Sequence, residues 1–145
     1  DFPSFVSIME AFARLVRRWP NVTFIGAHVG CYAENLAWVS KLLDDCPNLV
    51  IDISARISEL GRQPFSSRRF FERYQDRILF GIDAGPDLET YRTYYRFLES
   101  DDEYFNYRPD AVPKQGRWQI YGLDLPKPVL EKIYRLNAMR LFRLS

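Results

Sequence analysis

The chain has 145 residues, 47% of them hydrophobic, with 11 Phe, 9 Tyr and 3 Trp, which is the length and apolar content of one domain with a real core and excludes disorder. Twenty basic against 19 acidic residues leave a net charge of +1, and the arginines are spread along the chain, so nothing calls for nucleic acid. No apolar run approaches the ~20 residues that span a bilayer, and the N-terminus lacks a signal peptide's charged-then-apolar layout, so the expectation is a protein with no membrane partner.

Residues 1–20 carry Phe2, Phe5, Val6, Met9, Phe12, Leu15 and Val16 at helical spacing, with Pro3 suited to a first turn and Arg17 and Arg18 near the C-terminal end of the dipole. A helix with one buried face is predicted. The short run 22–27 is apolar and β-branched between Pro20-Asn21 and His28, and reads as a fully buried strand. Helical period returns over 34–45 through Leu36, Trp38, Val39, Leu42 and Leu43, until Pro47-Asn48 breaks it.

A second strand is predicted over 49–53, a helix over 64–74 with Phe65, Phe70, Phe71 and Tyr74 as its apolar set, and a third strand over 78–82. The next helix runs through Leu88, Tyr91, Tyr94, Tyr95 and Leu98, and its tyrosine stripe has the spacing of core. Strands alternating with helices of this length imply an α/β fold with a parallel sheet and right-handed crossovers. Residues 100–125 are acidic and then aromatic and turn-rich, which predicts a long loop, either pocket-lining or packed onto the domain. Residues 126–142 form a last amphipathic helix that seals the end of the domain.

The first and third strands run straight into polar groups. His28, the only histidine, follows the first, and Asp83 follows the third, each beside glycine-containing turns. In parallel α/β proteins the C-terminal ends of strands are where catalysis sits, and a neutral imidazole with a carboxylate can bind a divalent metal or divide ligand and base roles. The plainer alternatives are a hydrogen-bonded packing histidine and a turn-forming aspartate before Gly85-Pro86. Between 52 and 64, Arg56 and Arg62 are candidates for binding a substrate carboxylate, against a loop-bracing network as the alternative. Cys31 and Cys46 are the only cysteines, with no CxxC and one histidine, so structural zinc is set aside, and Cys31 is expected to be a buried inert thiol. Two thiols in a chain of this size are in keeping with a reducing compartment, here the cytoplasm.

Phe24-Ile25-Gly26-Ala27-His28-Val29-Gly30, Val50-Ile51-Asp52-Ile53-Ser54-Ala55-Arg56, Arg77-Ile78-Leu79-Phe80-Gly81-Ile82-Asp83 and the tail Leu130-Glu131-Lys132-Ile133-Tyr134-Arg135-Leu136-Asn137-Ala138 resemble the C-terminal portion of the amidohydrolase 2 family, which includes aminocarboxymuconate semialdehyde decarboxylase. The resemblance runs over essentially the whole chain. It implies a partial (β/α)8 TIM barrel of the metallo-dependent hydrolase type, the three strands here being its sixth, seventh and eighth and residues 1–145 a single C-terminal fragment. A complete barrel needs ~250 residues, in keeping with that expectation.

The resemblance further implies that His28 lies beside a divalent metal, zinc first, as a catalytic or ligating group, and that Asp83 binds the metal and handles the proton of the attacking water. The family's usual Gly-Thr-Asp reads Gly81-Ile82-Asp83 here. Its His-x-His pair and a further histidine come from strands this chain lacks. The expectation is therefore a metal-dependent hydrolase acting on an amide, ester or lactone of a small-molecule substrate in the intact protein, with this chain alone inactive. A related decarboxylase and a non-catalytic binding or oligomerising fragment are the alternatives. Self-association through open sheet edges, or pairing with a missing N-terminal half, is the expected partnership.

Overall fold

A computed structural model describes residues 2–110, 112–113 and 115–144. Three short strands, β1 (Phe24–Gly26), β2 (Leu49–Asp52) and β3 (Ile78–Leu79), form one parallel sheet in the order β1-β2-β3. Gly26 pairs with Ile51 and Ile51 with Ile78, so the register lines up the C-terminal ends from which the polar segments leave.

Helices connect the strands. Ahead of β1 runs α1 (Phe5–Arg18), started by Ser4, whose hydroxyl accepts the Ser7 amide at 3.2 Å. A single turn, α2 (Ala27–Gly30), follows β1, and α3 (Leu36–Asp45) is capped by the Asn35 side chain on the Trp38 amide. Between β2 and β3 lie the short α4 (Ile57–Leu60) and α5 (Pro64–Arg73), with Pro64 at the first turn, where its missing N–H costs nothing. Asp87 caps α6 (Leu88–Glu99) by accepting the Thr90 amide at 2.8 Å. The chain ends in α7 (Lys127–Glu131), a π-helical stretch (Lys132–Leu136) and α8 (Asn137–Phe142).

The core lies between the central strand and the helices. Leu49, Ile51 and Ile53 are fully buried and meet Leu43 of α3, Phe71 of α5, Phe97 and Leu98 of α6, and Ile133. Each such side chain contributes about 1.5–3 kcal/mol of transfer free energy. Residues 101–125 contain no helix among those described; an antiparallel bridge joins Phe105 to Ile120, both buried, and Leu123 and Leu125 hydrogen-bond back to the carbonyls of Phe97 and Leu98.

Several details depart from the sequence reading. α1 buries only Met9, Ala13 and Val16, with Phe12 partly buried against the core, while Phe2, Phe5, Val6 and Leu15 of the expected buried face are exposed; the covered stripe is narrower than the apolar one, and Phe5 meets only the edge of the Tyr32 ring, at 4.8 Å between centroids. The first strand is not fully buried: Val22 and Ile25 are 47% and 44% exposed, since β1 is an edge with a neighbour on one side only. Phe65 is exposed, as α5 turns Ser67, Phe70 and Phe71 inward instead. In the tyrosine stripe Tyr94 is buried, Tyr91 half-buried and Tyr95 exposed. Cys31 is exposed, and Cys46 is the buried thiol.

Candidate functional site

Past β1 the backbone does something the sequence pattern does not announce. His28, Val29, Gly30 and Cys31 have φ of 59, 57, 63 and 61°, so four consecutive residues sit in the left-handed region and only one is glycine. Such a turn costs about 1–2 kcal/mol for each residue with a Cβ. The Cys31 amide closes it on the carbonyls of Ala27 and His28, at 3.1 and 2.9 Å, and fully buried Val29 anchors it.

The remaining support comes from the end of β2. Asp52 Oδ1 accepts the backbone amide of His28 at 3.0 Å and that of Ser54 at 2.9 Å. The Ser54 carbonyl in turn lies 2.7 Å from His28 Nδ1. A carbonyl oxygen only accepts, so Nδ1 is the donor, the tautomer that leaves the lone pair of an uncharged imidazole on Nε2. That lone pair faces Asp83, whose Oδ2 is 3.9 Å from Nε2. Asp83 lies four residues beyond β3, with φ of 55° and its side chain 61% exposed against 27% for His28. The two polar groups named from the sequence therefore meet at the C-terminal side of the sheet.

A pocket of about 80 Å³ opens beside Asp83, lined also by Thr90, Tyr94, Tyr107, Arg108 and Gln115 among others. The Tyr94 hydroxyl accepts the Ala55 amide at 2.8 Å. Burial raises its phenol to about 12, and the Asp52 and Asp83 carboxylates push the same way, so Tyr94 stays protonated with its O–H available as a donor. A larger cleft of about 530 Å³ lies between the start of α5 and residues 101–124, and neither His28 nor Asp83 lines it.

The two arginines sit elsewhere. Arg56 donates to the carbonyl of Ala55 at 2.9 Å, and Arg62 lies over the Trp118 ring at 4.3 Å on the wall of the larger cleft. Neither lines the pocket beside Asp83. Sequence reading missed three contributors: Asp52, Ser54 and the pocket role of Tyr94. The Asp52-Ile53-Ser54 triplet does carry a local signal, since aspartate favours accepting the amide two residues on.

As a donor set for a divalent cation, the His28 lone pair and the Asp83 carboxylate are of the right chemistry, but they are two. Among the described residues no group of three or more His, Cys, Asp or Glu side chains could hold a metal ion, whereas catalytic zinc normally takes three protein ligands. His28 and Asp83 are thus two donors where such a site takes three.

A parallel α/β sheet with a histidine and a carboxylate meeting past its C-terminal edge is the kind of scaffold on which metal-assisted hydrolysis is built. The amidohydrolase family profile matches residues 1–144, and the chain belongs to the amidohydrolase family. No curated protein and no solved structure matches it significantly. Among the described residues no helix is long and apolar enough to cross a membrane.

Proposed function

We propose that this chain supplies His28 and Asp83 to the active centre of a metal-dependent hydrolase acting on an amide, ester or lactone of a small-molecule substrate. The observation that carries this reading is the ring of His28, pinned through Nδ1 to the Ser54 carbonyl so that Nε2 faces Asp83 at 3.9 Å. A divalent ion, zinc the first candidate, would supply Lewis acidity and a bound water acidified to about pKa 7. His28 offers one ligating nitrogen, or orients the water through it. Asp83, mostly solvated, is free to accept the water's proton and return it to the leaving group. Tyr94 and the neighbouring pocket would hold the substrate portion next to the scissile bond.

On this reading the sheet corresponds to the last three strand–helix units of a (β/α)8 barrel, residues 100–125 to a loop on its catalytic face and 126–142 to its closing helix. One imidazole in 145 residues leaves the metal site incomplete, so the chain alone is inactive and a further segment or partner completes it. The two free thiols, Cys31 exposed and Cys46 buried, fit a reducing, cytoplasmic setting.

Calorimetric titration with Zn²⁺ tests the assignment. One weak site per chain is expected, weakened at least about tenfold by either His28→Ala or Asp83→Ala. Binding indifferent to both substitutions would overturn it. A second reading, a non-catalytic association module, is favoured by one observation: α1 exposes Phe5, Val6, Ile8 and Leu15, and β1, the strand that follows it, has an unpaired edge.

A further inference from the structure

The Asp52 carboxylate spends one oxygen on two backbone amides, and both belong to residues that control the His28 ring. It holds the His28 amide at 3.0 Å and the Ser54 amide at 2.9 Å, while the Ser54 carbonyl takes the His28 Nδ1 proton at 2.7 Å. The contacts form a closed circuit from carboxylate to histidine backbone, along the side chain to Nδ1, across to the Ser54 carbonyl and back through the Ser54 amide. Within it the histidine has left-handed backbone angles that an isolated chain would avoid. The Ser54 hydroxyl fills the space that a side chain at Gly81 would need, so the glycine leaves room for the circuit.

We infer that Asp52 is a positioning residue for His28. Its carboxylate locks the left-handed turn and the Ser54 carbonyl into one arrangement, and so selects the Nδ1–H tautomer with Nε2 open toward Asp83. This rests on His28 and Asp83 being the centre of the proposed hydrolase, and adds a residue that touches neither substrate nor metal. An imidazole free in water prefers the opposite tautomer, with the proton on Nε2, so the arrangement is one the fold must impose. Without Asp52 the circuit is open, since its Oδ1 is the atom that takes both backbone amides. The Ser54 carbonyl is then free to drift from Nδ1, and Nε2 regains its proton and ceases to be a ligand or base.

Because His28 is the only histidine, its ring nitrogens can be read in the ¹⁵N-labelled full chain without assignment ambiguity. At about pH 9, above the usual imidazole range, the ratio of Nδ1–H to Nε2–H is expected to exceed one, the reverse of free imidazole, because the hydrogen bond to the Ser54 carbonyl outweighs the intrinsic preference. Asp52→Ala should bring that ratio to one or below. Asp52→Asn, whose amide oxygen can still accept both N–H groups, should keep it within about twofold of the parent. A parent chain dominated by the Nε2–H form, or a folded Asp52→Ala chain with the parent ratio, would overturn the inference.

Should Asp52→Ala fail to fold, the Asn variant and scalar couplings across the two hydrogen bonds decide. Couplings from the His28 and Ser54 amide nitrogens to the Asp52 carboxyl carbon, together with retention of the tautomer in Asp52→Asn, support the role. Their absence refutes it. A merely structural aspartate would lower the unfolding midpoint without moving the tautomer ratio. Neither readout needs metal or turnover, so the Zn²⁺ titration of His28 and Asp83 variants stands or falls separately.

Discussion

Gly81 lies so close behind Ser54 that a methyl group at position 81 would overlap the Ser54 hydroxyl, with Asp52 next in line. The glycine that follows the third apolar run is thus a spacing device for the end of the second. Gly81→Ala should displace Ser54, and with it the carbonyl that holds His28 Nδ1, and cost about 1–3 kcal/mol from overpacking. Gly85→Ala is the matched control, since nothing lies within 4 Å of a Cβ there, and should stay within about 0.5 kcal/mol of the parent. Urea unfolding of the pair checks this, and equal midpoints would show that the close approach carries no weight.

Burial divides the apolar residues sharply. Ile51 on the central strand is fully buried, whereas Phe65 is 80% exposed despite sitting in an apolar helical pattern. Ile51→Ala is expected to cost about 2–5 kcal/mol, transfer and cavity terms together. Phe65→Ala should change stability by about 0.5 kcal/mol or less. Thermal unfolding of the two variants beside the parent chain checks the contrast.

Helix and strand order was legible from periodicity, because the runs around Ile25, Ile51 and Ile78 are short, apolar and separated by helical spacing. Strand ends were not, since only pairing decides them: the run through Ile82 stops pairing with β2 after Leu79, and the Phe80 amide turns to the Ile133 carbonyl instead. The burial of α1 was misread for a similar reason. Phe5 and Leu15 belong to a real apolar stripe, but what covers a stripe is a tertiary fact. His28 and Asp83 stood out because each polar group follows an apolar run. The left-handed turn at residues 28–31 did not, as three of its four residues carry side chains that usually avoid positive φ. Asp52 was hidden by register, because its partner 24 positions earlier is set by how β1 lies beside β2.

Asn48 is a further point where one side chain carries several backbone groups. Its Nδ2 sits within 3.2, 3.0 and 2.9 Å of the carbonyls of Val16, Trp19 and Val22, tying the end of α1 and the approach to β1 onto the start of β2. Asn48→Ala should cost about 1–3 kcal/mol, since the carbonyl of buried Val16 loses this donor. Asn48→Asp should do no better, because a carboxylate would face three oxygens. Hydrogen exchange is expected to quicken across residues 19–26 ahead of the rest of the chain.

The raised phenol of Tyr94 makes stability depend on alkaline pH. Its folded value of about 12 lies above the ordinary 10, so the protonated form is favoured in the folded chain. That contribution is complete below pH 10 and is lost as pH rises from 10 toward 12. The shift corresponds to about 3 kcal/mol at the upper end. Tyr94→Phe should lose about 1 kcal/mol at neutral pH, through the Ala55 amide left without its acceptor, yet show a shallower decline between pH 10 and 12. Urea midpoints of both proteins across that range check it, and parallel declines would assign the alkaline loss to other groups such as Tyr134, whose phenol is also raised by burial.

The open edge of β1 gives the last test. Ile25 is 44% exposed on a strand paired on one side only, and Phe2, Phe5, Val6, Leu15 and Trp19 add exposed apolar surface along α1 and its end. An unpaired edge and exposed apolar surface favour pairing with another chain, a second copy or, on the proposed reading, a further segment. The isolated chain is therefore expected to rise above its 17.2 kDa monomer mass in light scattering as concentration increases. Ile25→Lys puts a charge on that edge and should return the mass to the monomer without lowering the unfolding midpoint by more than about 1 kcal/mol, because the side chain has little buried contact to lose. If the parent chain stays monomeric at every concentration, the edge is adapted to a different segment, and adding candidate amidohydrolase fragments that carry a His-x-His pair becomes the informative experiment. Self-association insensitive to Ile25→Lys would move the interface to α1, where Phe5→Ser is the corresponding variant.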